Sequence, residues 1–197
     1  MIYYNMNSFG ALILSAGTSE RMGTPKALLT YSNGVTFIEQ IVEKYLEAGT
    51  ERIVLVINPS LSQIINLMPF CQNHQVMVVE NKEPEKGRIH SIKLGMEKLN
   101  ELPFFIQNVD NPFVTVDLLN RMLPELQPNK YVSPFYKGSG GHPILISHEI
   151  ALQLKGCDLK TPLNLFLANY EQIKMEQGNS DILVNINTPD DYRAAFK

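Results

Sequence analysis

The residues best suited to chemistry lie between Leu14 and Lys26, in the stretch LSAGTSERMGTPK. It holds two cations, Arg21 and Lys26, and two glycines, Gly17 and Gly23. Glycine reaches backbone angles closed to other residues, so such a loop can turn several amide N–H groups toward one anion while the cations supply charge. Pro25 stiffens the approach to Lys26. The chemistry served by these residue types at this spacing is the binding of phosphate.

The order of the residues restricts which phosphate loop this is. Lys26 is preceded by Pro25 and followed by Ala27, so there is no GxxxxGK[ST] and no P-loop hydroxyl for magnesium. There is no GxGxxG either. The stretch resembles L(A)AGxSxRMGxxKxLL, the signature of the nucleotidyltransferases of molybdenum cofactor biosynthesis. The match runs through Leu14, Ala16, Gly17, Ser19, Arg21, Met22, Gly23, Lys26, Leu28 and Leu29. The resemblance implies that Leu14, Ser15, Ala16, Gly17, Arg21 and Lys26 bind a nucleotide. Lys26 would stabilise charge on the α-phosphate as an acceptor attacks in line, and Arg21 would hold the outgoing phosphates. The alternatives are a solvated lysine and a structural salt bridge at Arg21.

Further segments extend the resemblance along the chain. Asp110, before Asn111, Pro112 and Phe113, resembles the aspartate of the family's DQPF or DMPF segment, which binds magnesium. Magnesium takes hard oxygens, often only one or two from protein, and fills its shell with phosphate and water. The other reading of Asp110 is a cap for the helix beginning near Thr115. Gly87 and Ser91 in KGRIHSIKLG resemble the family's GxxxSLxxG, which implies contact with nucleobase and ribose, although neither residue type requires a ligand. Arg88 and His90 read as decoration of a solvated face.

GGHPILIS, from Gly140 to Ser147, resembles GHPVLF of the cytidylyltransferase branch, which places His142 at the rim of an acceptor pocket rather than as a general base. KGCDLKTP departs from that branch's GDxGAR, leaving Asp158 as the match to its aspartate. NINTPDDY resembles the family's closing D(I/V)DTPEDL or N(I/V)NTPEDL, with Asn187 offering a neutral oxygen where some members have a carboxylate.

These residues must be positioned by strands and helices that the apolar pattern marks out. Phe9–Leu14, Arg52–Ile57, Gln75–Val79 and Phe104–Val109 are apolar runs that read as buried strands. Helices are expected from Thr36, with Glu39 completing a capping box and Gly49 at the C-terminal cap, and over Ser60 to about Met68. Others are expected from Gly87 to near Glu101 and from about Thr115 to Leu126. Beyond them the pattern predicts strands at Tyr131–Pro134, Ile144–Ile146, Ile173–Glu176 and Ile182–Ile186. Helices are predicted at His148–Leu154, Pro162–Tyr170 and Pro189–Phe196. Strands alternating with helices indicate a parallel α/β sheet whose ligands bind beyond the carboxyl ends of its strands. The loop at 14–26, the loop at 80–87 and Asp110 then share one edge.

A chain of 197 residues can bury a core without disulfides, and a single domain over 1–197 is expected. Cys71 and Cys157 form no metal-binding cluster. A net charge of −3 argues against a broad nucleic-acid surface, while a triphosphate needs only local charge. MIYYNMNSFG reads as no signal peptide, and no apolar run reaches the roughly 20 residues of a membrane span, so a soluble, cytoplasmic protein is expected.

Together with the resemblance, these features predict a Rossmann-like three-layer α/β sandwich with a mostly parallel sheet, of the nucleotide-diphospho-sugar transferase type. The predicted activity is Mg2+-dependent transfer of a nucleotidyl group, with CTP favoured, to a phosphate-bearing acceptor such as molybdopterin, releasing pyrophosphate. A molybdoenzyme is raised, without being established, as a protein partner. Two alternatives stand beside this: a sugar-phosphate or alcohol-phosphate acceptor, and a non-catalytic protein that delivers a nucleotide or cofactor.

Overall fold

The computed structural model describes residues 8–196. The reading of MIYYNMNSFG therefore concerns mainly residues 1–7, which lie outside the described residues. Eight strands form one sheet: β1 (Gly10–Ser15), β2 (Arg52–Ile57), β3 (Val76–Glu80), β4 (Phe104–Asn108), β5 (Lys130–Tyr136), β6 (Ser139–Gly140), β7 (Ile144–Ile146) and β8 (Glu171–Glu176). The order across the sheet is β3-β2-β1-β4-β7-β5-β6, with β8 also paired to β5. β1, β2, β3 and β4 run parallel, as do β5 and β8, whereas β7 is antiparallel to both β4 and β5. The sheet is mostly parallel, as expected, with antiparallel pairing introduced by the short β6 and β7.

The apolar runs are explained by what covers them. Successive side chains of a strand point to opposite faces, so a strand covered on both sides must be apolar throughout. On one face Ala11, Ile13, Ile53, Leu55, Ile57 and Phe105 pack with α1 (Phe37–Glu47). On the other, Leu12, Val54, Val56, Phe104 and Ile106 meet residues of α3 (Arg88–Met96) and α5 (His148–Lys155). Between α1 and α3, the short helix α2 (Ser62–Ile65) follows a 3-10 turn at Pro59–Leu61. The remaining helices are α4 (Val116–Met122), α6 (Leu163–Leu167) and α7 (Pro189–Ala195). At α1 the capping box is formed: Thr36 Oγ1 accepts from the Glu39 N–H and Glu39 accepts from the Thr36 N–H.

Two expectations about elements need correction. The helix expected over Ser60 to Met68 is reduced to a 3-10 turn and the single turn of α2. The strand expected at Ile182–Ile186 is a 3-10 turn at Asp181–Leu183 followed by extended chain. Ile182 and Ile186 are buried, which accounts for the apolar pattern, but their backbone bonds go to separate partners. The Ile182 carbonyl accepts from the His142 N–H, and the Ile186 N–H donates to the Asp110 carbonyl. The segment is stapled to the sheet edge at single points instead of through a ladder.

Helix α3 lies close to the sheet because of Gly95. A Cβ there would sit 2.1 Å from Leu12 Cδ1 and 2.9 Å from Val56 Cγ2, and both of those side chains are fully buried. Gly95→Ala is expected to destabilise the fold by about 1–3 kcal/mol, because the helix-propensity gain of roughly 1 kcal/mol is outweighed by forcing packed side chains off their rotamers. Urea unfolding would check this. A midpoint equal to or above that of the parent would show that the α3 seam can move aside.

Candidate active site

The loop at 14–26 is anchored from below and open above. Met22 and Ala27 are buried in the core, and Leu28 and Leu29 pack against it, so the apolar residues of the stretch act as feet. The Met22 and Gly23 amides donate to the Ser19 carbonyl, and the Lys26 amide donates to Ser19 Oγ at 3.3 Å. These bonds fold the loop into a tight arch. Gly23 takes φ +71°, the region that glycine was expected to serve. Gly17 is not in that region, and its value is space. A Cβ built there meets nothing within 4 Å, and Gly17 lines two adjoining clefts.

Strand β4 delivers Asp110 to the same edge. The Val109 amide donates to the Leu14 carbonyl at 3.1 Å, which joins the exit of β4 to the start of the loop. Lys26 Nζ then donates to Asp110 Oδ2 at 3.0 Å and to Asn187 Oδ1 at 2.6 Å. Lys26 is therefore no solvated surface lysine: its side chain keeps 15% of its accessible surface and that of Asp110 keeps 23%. Asp110 does not cap the following helix either, since the Thr115 side chain accepts from the Leu118 N–H at that position.

Asn187 is placed by the helix start that follows it. Thr188 caps α7 in a capping box with Asp191, and Asp191 Oδ2 also accepts from the Asn187 amide at 2.9 Å. The Asn187 backbone N–H and then the Thr188 hydroxyl hold the Asp191 carboxyl below its usual range, with a smaller contribution from Arg21. Arg21 is exposed on the arch and is not among the residues lining the clefts.

Three adjoining clefts open along this edge. The largest, about 640 Å³, is lined by Leu14, Ala16, Gly17, Thr18, Pro84, Glu85, Gly87, Arg88, Ser91 and Asn108. Gly87, with φ +89°, turns the chain from the loop after β3 into α3 and leaves this wall free of a side chain. Ser91 is buried and accepts a hydrogen bond from Asn81 Nδ2 at 2.9 Å, so it serves the wall as well as facing the cleft. A cleft of about 260 Å³ contains Ser15, Lys26 and Asp110. The third, about 490 Å³, lies on the far side and includes His142. Asp158 is not part of it: it is exposed, and its carboxylate accepts from the Lys160 amide in the turn after α5.

The electrostatics of the third cleft follow from its hydrogen bonds. His142 Nε2 lies 3.1 Å from Asn108 Nδ2 and 3.4 Å from an Arg88 guanidinium nitrogen. Both neighbours are donors, so Nε2 accepts and the ring proton sits on Nδ1. Burial, and secondarily the charge of Arg88, push the imidazole down to about 4 against an opposing pull from Asp110. His142 is neutral at physiological pH. Gly141 is required beside it, because a Cβ there would lie 2.3 Å from the Ile182 carbonyl oxygen.

Some residues of the site carry no local signal. Asn111 donates to the Val184 carbonyl and to Asn185 Oδ1, both at 2.8 Å, while its own Oδ1 accepts from Asn108 at 3.0 Å. It fastens the segment carrying Asn187 beside Asp110. Arg88 is exposed, as expected of a solvated face, but it also lines all three clefts. The one clue available was its place directly after Gly87, at a helix start facing the carboxyl edge of the sheet.

The residues present suit a divalent cation of one kind. Asp110 Oδ1 is buried with no hydrogen-bond partner among the described residues, an uncompensated oxygen of the sort that a ligand normally satisfies. Asp110 and Asn187 together offer one carboxylate and one neutral oxygen. Among the described residues there is no group of three or more His, Cys, Asp or Glu side chains able to enclose a metal by themselves. The set fits a cation that completes its shell with phosphate and water, as magnesium does. In the structure the Lys26 ammonium bridges those two oxygens.

The sheet, the glycine-containing loop at 14–26 and the acidic group at the end of β4 are the features to set beside known proteins. It has the nucleotide-diphospho-sugar transferase fold, and over 95% of both chains it resembles a nucleotidyl transferase from Methanothermobacter thermautotroptrophicus, with a TM-score of 0.79 and 22% identity. The family model described as the MobA-like NTP transferase domain matches residues 11–173, and the chain belongs to that family. It is 25% identical over 190 residues to the molybdenum cofactor cytidylyltransferase of Escherichia coli K12, covering 96% of each chain. It is also 29% identical over 204 residues to a probable molybdenum cofactor guanylyltransferase of Bacillus mycoides, covering 98% of each. Among the described residues no helix is long and apolar enough to cross a membrane.

Proposed function

We propose that this protein transfers the nucleoside monophosphate of a nucleoside triphosphate, CTP in preference, to the phosphate of the molybdenum cofactor, releasing pyrophosphate with the help of Mg2+. The observation that carries the reading is the Lys26 ammonium held between Asp110 and Asn187 where the triphosphate cleft meets the phosphate loop. An oxygen of the acceptor phosphate would form the new bond to the α-phosphorus. The bond from that phosphorus to the bridging oxygen would break, and pyrophosphate would leave with the electron pair. The acceptor is already an oxyanion, so no protein nucleophile is required.

Each residue of the chain then has a task. The amides around Gly17 and the Lys26 ammonium face the phosphates, Gly87 and Ser91 border the space for base and ribose, and Arg21 lies over the arch as a second cation for the leaving group. A divalent ion held by Asp110 and Asn187 would draw negative charge from the triphosphate oxygens. The preference for CTP rests on LSAG at the loop, without a second glycine, and on GHP at 141–143; relatives of both the cytidylyl and guanylyl kinds leave it a matter for measurement.

Thermal melting with Mg2+ and each of CTP, GTP, ATP and UTP, followed by pyrophosphate release with molybdenum cofactor present, tests the reading. The expected result is a rise in melting temperature of about 5 °C or more for CTP, the shift that linkage gives when ligand is near 100-fold above its dissociation constant. A rise for GTP alone would move the base assignment. Stabilisation without pyrophosphate release would favour a nucleotide-binding delivery protein, and no stabilisation by any triphosphate would remove the proposal.

A further inference from the structure

Arg88 is the one residue common to all three clefts. It stands at the first position of α3, between the space beside Gly17, the space beside Lys26 and the space beside His142. Among the residues lining the third cleft it is the only one with a full charge, since His142 is neutral and the polar side chains there, Tyr131, Ser133, Asn164 and Gln172, are uncharged. No carboxylate lies within salt-bridge distance of its guanidinium among the described residues. Among the described residues the one polar contact of its guanidinium is His142 Nε2, itself fixed as an acceptor by Asn108. Asn108 in turn is held by Asn111.

A cation placed in this way answers a requirement of the transfer reaction. Two anions, the triphosphate and the acceptor phosphate, must meet at one phosphorus, and their mutual repulsion opposes that approach. Lys26 is already committed to Asp110 and Asn187 on the nucleotide side. A guanidinium has five N–H donors in a planar fork, so it can keep one bond to an imidazole while presenting others to phosphate oxygens. Its neutral neighbour orients it without competing for its charge.

Resting on the transfer reading above, we infer that Arg88 binds the acceptor's phosphate and that His142 is its positioning residue. The acceptor class that fits is a phosphate monoester with a hydrogen-bonding body, because the lining beyond Arg88 offers Tyr131, Ser133, Asn164 and Gln172. The Lys26 side recognises the nucleotide, and the Arg88 side recognises the incoming phosphate.

Calorimetric titration separates the two halves. The protein is first saturated with Mg2+ and a CTP analogue whose α,β-bridging oxygen is replaced by methylene, and phenyl phosphate is then titrated as the monoester probe. Arg88→Gln is expected to weaken phenyl phosphate binding by about tenfold or more, while the affinity for the analogue stays within about threefold. Arg88→Lys should recover part of the loss, since it restores charge without the fork. His142→Leu should weaken the probe while His142→Gln, which keeps an acceptor for Arg88, retains binding. Unchanged phenyl phosphate affinity in Arg88→Gln, or no phenyl phosphate binding to the parent protein carrying the analogue, overturns the assignment. Failure of the parent to bind the analogue at all would be failure of the transfer reading, and it appears in the first titration before the monoester is added.

Discussion

Replacing Lys26 with alanine is expected to lower nucleotidyl transfer by about 10³-fold, or roughly 4 kcal/mol of transition-state stabilisation, with a much smaller effect on nucleotide binding. The asymmetry follows from where the ammonium is held. It reaches Asp110 and Asn187 from an arch whose feet, Met22 and Ala27, are buried, so its position is set before substrate arrives. A charge fixed in advance contributes most where new charge appears, which in this reaction is on the α-phosphate as the acceptor bonds to it. Ground-state binding is spread over the loop amides and the walls of the cleft, so its loss should be modest. Steady-state rates with CTP and molybdenum cofactor, beside calorimetric binding of the nucleotide, give the two quantities separately. The fold should persist, because the side chain is partly exposed and its backbone bond to Ser19 is untouched. Full activity in Lys26→Ala would falsify the role assigned to it.

What could be read in the sequence was what is written locally. The arch from Leu14 to Lys26 uses residues close in the chain, Gly23 for its turn and Met22 and Leu28 for the core, so its form was legible. The segment NTPDD was legible for a similar reason: Thr188, Pro189 and Asp191 spell a helix start, and that start places Asn187. Arg88 was not legible, because its surroundings depend on His142, 54 positions away, arriving from the connection between β6 and β7. Asn111 depends on Val184, 73 positions away. Before the chain was folded it was only a change from glutamine or methionine. The strand expected at 182–186 shows the converse failure. Buried Ile182 and Ile186 produce the pattern of a strand, but apolar spacing reports burial and says nothing about where backbone hydrogen bonds go.

A residue whose protein partners are incomplete should be the one whose loss separates stability from activity. Asp110→Asn is expected to abolish the Mg2+-dependent part of nucleotide binding and to lower turnover by about 10²–10³-fold, while the melting temperature of the ligand-free protein changes by only a few degrees. Asparagine has nearly the same shape, and its carbonyl can still accept from Lys26 in place of Oδ2. What it removes is the negative charge and the second oxygen, Oδ1, which is buried and satisfied by nothing among the described residues. The amide nitrogen that takes its place is also unpaired but carries no charge, so its smaller burial cost offsets part of what is lost with the Lys26 ion pair. In the protein loaded with nucleotide the same change is not offset, since a neutral amide cannot replace a carboxylate toward a divalent ion whose other proposed ligand, Asn187, is already neutral. Titrating Mg2+ against the protein at fixed CTP, with thermal melts of the free protein alongside, measures both effects. If Asp110→Asn binds Mg2+ and CTP together as the parent does, the cation lies elsewhere in the cleft. A collapse of the free protein would instead make Asp110 a structural residue held by Lys26. Stability nearly conserved and metal dependence lost is the combination that an oxygen kept in reserve for a ligand requires.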